Sequence, residues 1–204
     1  VESEADFQRE VAELQQLLAA PQAGQSVVAM PGAGTNVPIW LLGSSLFSAK
    51  LAAERGLPYA FASHFAPGLL HQAIALYRSE FRPSANLALH YVMIGVPLIA
   101  AATDAEAEFL ASSVHQRVLG ILHGDRRCLP PPVKDFIASL HPQERAAIGQ
   151  FLAAAVIGGP STVRAGLAAL KQATAADEFM LVCDIFDPDL RLRSLDIAAA
   201  ACKA

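Results

Sequence analysis

The sequence predicts an α/β protein built on a parallel sheet covered by helices. Three observations lead there. Short, continuously apolar runs bounded by turn residues suit strands buried on both faces. These runs alternate with longer helical stretches, the rhythm of a parallel sheet joined by crossover helices. The chain of 204 residues is 53% hydrophobic and 17% charged, which excludes a disordered chain and leaves ample material for a core.

Phe7, Val11, Leu14 and Leu18 recur at three- and four-residue steps, so residues 4–19 read as an amphipathic helix ended by Pro21 and Gly24. Residues 37–42 are a buried strand, and Gly43-Ser44-Ser45 opens a helix that stops at Gly56. Residues 59–62 form a second strand, followed from Pro67 by a helix to about Phe81, proline suiting a first helical turn. The third strand covers 91–101. Thr103 and Glu106 then have capping-box spacing for a helix reaching Leu122. Residues 124–142 break the rhythm with Gly124, three prolines at 130–132 and His141-Pro142, and read as an insertion within a single domain spanning 1–204. Helices follow at 143–156 and 161–173. A fourth strand at 179–183 leads to Asp187-Pro188, an N-cap and first-turn proline for a last helix to about Ala201. Such a pattern fits an open doubly wound sheet or a (β/α)8 barrel, of which about four units are visible. Strands 37–42 and 179–183 would form the open edges, which folded proteins cover, so a homo-oligomer is expected.

Charge and cysteine usage narrow the partners. Fifteen basic against nineteen acidic residues give a net charge of −4, without the basic face that nucleic acid requires. Cys128, Cys183 and Cys202 are odd in number and widely spaced, which fits a reducing, cytoplasmic setting and neither a disulfide framework nor a zinc knuckle. The longest apolar stretch, 91–102, falls short of the ~20 residues that cross a bilayer, so no membrane role is expected.

Gly43, Ser44 and Ser45, with Ser48 one turn on, stand where a strand hands over to a helix. Free amides, the helix dipole and hydroxyl donors can converge there on a phosphate. The same residues also read as a Ser-capped helix beside ordinary turn residues. Ser63 and His64 close the next strand at the same end, where a lone histidine is also compatible with a hydrogen-bonded structural role. Ser45 on its strand-to-helix turn, with His64 and Asp184, gives an alternative reading as a serine hydrolase, although Phe47 occupies the second glycine position of the nucleophile elbow. His115 and His123, eight apart on one helix, lack the carboxylate or cysteine that would complete a metal set, and no metal is expected.

The run VPIWLLGSSLFSAKLAAERGLPYAFASHFAP at 37–67 resembles the fifth and sixth βα units of the bacterial luciferase-like, flavin-dependent monooxygenases. The resemblance continues through 81–84, 91–95, Thr103-Asp104, 129–133, 159–164 and 191–194, and points to alkanal monooxygenase-like members. It implies a parallel (β/α)8 TIM barrel, of which this chain carries about the last four βα units plus a helical insertion. It further implies an oxidoreductase using reduced FMN and dioxygen on an aldehyde-like or other small organic substrate, with a separate reductase supplying the reduced flavin. A non-catalytic, flavin-binding half barrel that dimerises is the alternative. By the same resemblance the FMN phosphate falls on the Gly43 turn, with Ser45 and Ser48 as its hydroxyl pair and Ser44 contributing backbone, while Ser63 and His64 lie beside the flavin ring. The family's catalytic histidine and cysteine belong to the first half of its barrel, so the catalytic residues are unknown here. His90 and Pro97 stand where the family has proline and asparagine, and an interior proline implies a bulge or an early end to the third strand.

Overall fold

A computed structural model describes residues 4–85, 87–125 and 127–203. Its elements are α1 (Glu4–Leu18), β1 (Leu41–Gly43), α2 (Leu46–Glu54), β2 (Tyr59–Phe61), a 3-10 turn (Pro67–Leu69) running into α3 (Leu70–Glu80), β3 (Val92–Ala100) and α4 (Asp104–Leu122). There follow α5 (Phe136–Ser139), α6 (Pro142–Phe151), β4 (Val156–Gly158), α7 (Pro160–Thr174), β5 (Glu178–Val182) and α8 (Pro188–Lys203). All described strand pairs are parallel: β1 with β2, β2 with β3, and β3 with β5 along residues 93–97. The short β4 pairs only with the tip of β3, Leu98 opposite Val156. The expected α/β fold is therefore present as four side-by-side parallel strands, each followed by helix, in the order of a partial (β/α)8 barrel.

Strand alternation divides the packing into two layers. Val92, Ile94, Val96 and Leu98 of β3 are fully buried in a core shared with α2, α3, α7 and α8. Ile99, one position out of phase, belongs to a second core built by α4, α6 and Ile185, against which α5 packs. Of the expected insertion at 124–142, Leu129, Ile137 and Leu140 pack against this second core. Helix α1 packs at the side, where Phe7 meets Phe47 with ring centres 6.3 Å apart and Arg55 donates to the Gln8 carbonyl at 2.7 Å.

Three expectations need correction. The first strand covers Leu41–Gly43, not 37–42; residues 37–40 belong to no helix or strand and have no sheet partner among the described residues. Helix α6 stops at Phe151, and the residues expected to continue it to 156 make a turn leading into β4, a strand the periodicity missed. Pro97 neither bulges nor ends β3, which runs on to Ala100. The reason is an edge effect. The Gly95 carbonyl faces Ser63, so the nitrogen of Pro97, two residues on, faces the same edge, and β2 stops pairing at Ile94. The missing N–H would have had no strand to bond.

Candidate functional site

Strands β1 and β2 end level, Gly43 opposite Phe61, with the Ala62 N–H donating to the Gly43 carbonyl at 3.0 Å. Residues 44–45 and 62–64 therefore lie side by side at the carboxyl end of the sheet. Ser45 is the N-cap of α2, with extended backbone (φ −121°, ψ 161°) and a hydroxyl that accepts from the Ser48 N–H at 3.3 Å. The amides of Leu46 and Phe47 have no intrahelical acceptor, as at the start of any helix, and the positive end of the helix dipole adds to them. Ser45 is exposed and Ser44 half-buried, so the corner opens to solvent.

Ser48 plays a different part. It is buried, and its hydroxyl donates back to the Ser45 carbonyl at 2.9 Å while lying 3.3 Å from both the Ser45 hydroxyl and the Tyr59 phenol. Tyr59 also donates to the Ser45 carbonyl at 3.4 Å. Burial pushes its phenol above the usual tyrosine range, with the Ser48 bond acting in the opposite direction. Gly43 makes the arrangement possible, because a Cβ there would sit 2.5 Å from the Ser48 Cβ and closer still to its oxygen. Sequence reading missed Tyr59. A tyrosine in a fully buried strand is nonetheless a signal in itself, since its hydroxyl needs a partner inside.

The next strand end divides its two candidates. Ser63 is fully buried and donates to the Gly95 carbonyl at 2.6 Å, tying β2 to β3. His64 is half-buried, with Nδ1 enclosed and without a partner among the described residues. Its ring lies over Gly95, where a Cβ would come within 2.9 Å of Cε1. The other edge of His64 borders a cavity of about 460 Å³ between the strand ends and the helical layer, lined by Pro97, Ile99, Val114, Phe151, Ile157 and Val182 among others. Arg117 of α4 and Asp184, two residues beyond β5, meet at its wall, Nη2 to Oδ2 2.5 Å.

The hydrolase reading finds no relay among the described residues: Ser45 bonds Ser48, Asp184 bonds Arg117, and His64 Nδ1 bonds neither. His115 and His123 also separate. His115 is buried, and loss of solvation holds it below the usual histidine range, with the nearby Glu108 opposing the shift. The His123 Nε2 lies 4.0 Å from Glu144. Arg191 donates through Nε and Nη2 to the Ile185 carbonyl at 3.1 and 2.7 Å, and Arg193 reaches Glu106 at 3.4 Å.

The profile described as luciferase-like monooxygenase matches residues 2–177. The chain belongs to the luciferase-like monooxygenase family. A protein of that name from Escherichia coli K12 is 44% identical over 193 residues, covering 95% of this chain and 58% of the relative. The crystal structure of apo-MsnO8 superposes with a TM-score of 0.82 at 31% identity, covering 98% of this chain and 61% of that one. The oxygenating constituent of 3,6-diketocamphane monooxygenase from Pseudomonas putida, solved in complex with FMN, shares the fold at 16% identity with a TM-score of 0.54, covering 83% of this chain and 49% of that one. The chain thus spans about three-fifths of the length of the first two.

Proposed function

We propose that this chain carries the phosphate anchor and one wall of the flavin site of an FMN-dependent monooxygenase acting on a small organic substrate. The observation that carries the reading is the corner at Gly43–Ser48: an open helix start with an exposed N-cap hydroxyl, level with His64 on the adjacent strand. Its donors suit a doubly negative phosphate in number and type. Helix-start amides give directed N–H groups, and the Ser45 hydroxyl adds a donor that moves no charge. Ser48 and Tyr59 act from beneath by fixing the Ser45 carbonyl inward, so that the cap does not rotate away. Ser63 sets the spacing of β2 from β3, and His64 presents its ring edge to the cavity where the flavin ring would lie.

Reduced flavin, when bound, would activate dioxygen, one oxygen atom going to the substrate and the other to water. What this chain contributes is binding, orientation and exclusion of water: its helical layer covers the mouth with apolar side chains, which lowers the local dielectric around any polar step. The family and the FMN-bound fold neighbour support FMN as the cofactor; a reductase as a transient partner rests on the sequence resemblance alone.

Titrating the purified chain with FMN and with riboflavin, followed by the visible spectrum, tests the anchor. The wild type is expected to prefer FMN, and the double variant Ser45→Ala, Ser48→Ala to lose most of that preference. Equal FMN affinity in the two proteins would overturn the assignment.

A further inference from the structure

The cavity between the strand ends and the helical layer combines apolar walls with charges that are already balanced. Arg117 and Asp184 pair at 2.5 Å at its wall, each side chain about one-third exposed. Arg127, at its rim, pairs with Asp125 at 2.7 Å and is otherwise in water. His64 is the remaining titratable lining residue, and the Arg117 Nε is enclosed without an acceptor among the described residues. A guanidinium in an apolar wall needs a counter-charge, and Asp184 gives Arg117 one before any ligand arrives.

We propose that Asp184 sets the substrate class: by occupying Arg117 it keeps the cavity neutral, so the site takes an uncharged, largely apolar organic molecule and turns away carboxylates and sulfonates of the same shape. The inference rests on the reading of this mouth as the place where substrate meets flavin. The physical basis is discrimination by difference. An anion entering an apolar cavity loses its hydration and finds the guanidinium's charge already balanced by Asp184, whereas a neutral chain of equal length loses little. Asp184 and Arg117 are specificity-determining residues, without a role in proton transfer.

The test uses calorimetric titration of the flavin-free protein above pH 7, with 1-octanol, octanoate and octylammonium as probes. The wild type is expected to bind 1-octanol and to disfavour octanoate by about tenfold or more, the size of one charge-assisted hydrogen bond. Asp184→Asn keeps the side-chain shape and frees Arg117, so octanoate binding should rise by about tenfold. Arg117→Gln leaves Asp184 unpaired and should shift preference to octylammonium. The double variant restores neutrality and should return to 1-octanol. Wild-type protein that binds octanoate as well as 1-octanol, or no probe at all, overturns the proposal. So does a pair of single variants that leave the ranking unchanged. If Asp184→Asn does not fold, Arg117→Gln and the double variant decide. Because no flavin is present, failure here is distinct from failure of the FMN anchor, which the FMN and riboflavin titrations read separately.

Discussion

At the scale of single residues, the corner is shaped by a missing side chain. Gly43 sits at the last position of β1 with the Ser48 side chain pressed against its Cα, so Gly43→Ala would push Ser48 off its bond to the Ser45 carbonyl. The variant is expected to lose the preference for FMN over riboflavin, as when Ser45 and Ser48 are removed together, and to be destabilised by an amount typical of overpacking, about 1–3 kcal/mol. Binding and melting curves on Gly43→Ala check both; an unchanged FMN preference would show that the cap tolerates displacement of Ser48. The glycine and serines at this corner were legible in the sequence because a strand, a glycine and a hydroxyl cap in succession carry their chemistry locally. The inward turn of Ser48 was not, since it depends on Tyr59, eleven residues away on the neighbouring strand. Arg117 and Asp184, 67 residues apart, carry no mutual signal in one sequence.

At the scale of elements, strands β2, β3 and β5 and the helices around them were readable because uninterrupted apolar runs and hydroxyl caps are local properties. Two caps follow the expected chemistry. Thr103 accepts from the Glu106 N–H at 3.2 Å, and Asp187 accepts from the N–H groups of Asp189 and Leu190 at 2.9 and 3.0 Å. Glu106 reaches the Ala102 N–H at 2.9 Å, one residue before the cap. Strand β4 escaped because three residues after an alanine-rich turn carry too little pattern; only the β3 tip makes them a strand. The joint between α4 and the start of α7 depends on Asp104, whose carboxylate accepts from the Gly159 N–H at 2.7 Å and from the Thr162 hydroxyl. The Gly159 bond first, and Thr162 second, hold its pKa below the ordinary 3.8. A depressed carboxylate stabilises the fold above its unfolded value and loses that effect as pH falls through the folded value. Asp104→Asn should therefore melt below the wild type near neutral pH, and the gap should close as pH drops below 3.8. Melting curves across the acid range check this; a gap independent of pH would remove the charge from the explanation.

At the scale of the whole molecule, two apolar cores meet at β3, whose alternating side chains feed one core from each face near its tip. Resemblance to a family placed the sheet, but periodicity states only which face of a helix is apolar, not the surface it will cover. That α4 and α6 lie over the strand ends, closing the cavity, is a tertiary fact outside the reach of pattern. The division has a mechanical consequence. The helical layer is joined to the sheet through β4, the Asp104 bonds to Gly159 and Thr162, the Arg117–Asp184 pair and the contact of Arg193 with Glu106, separate short links in place of the continuous ladder that joins β3 to β5. Ile148 is 2% exposed in the centre of the helical core. Ile148→Ala should destabilise that layer by about 2–5 kcal/mol. Native-state hydrogen exchange is the measurement: amides of α4 and α6 should exchange faster, while those of β2 and β3 and the FMN preference at the Gly43 corner stay as in the wild type. Acceleration spread equally over β2, β3, α4 and α6 would mean that the two cores unfold as one, and that the cover over the cavity cannot open without the sheet.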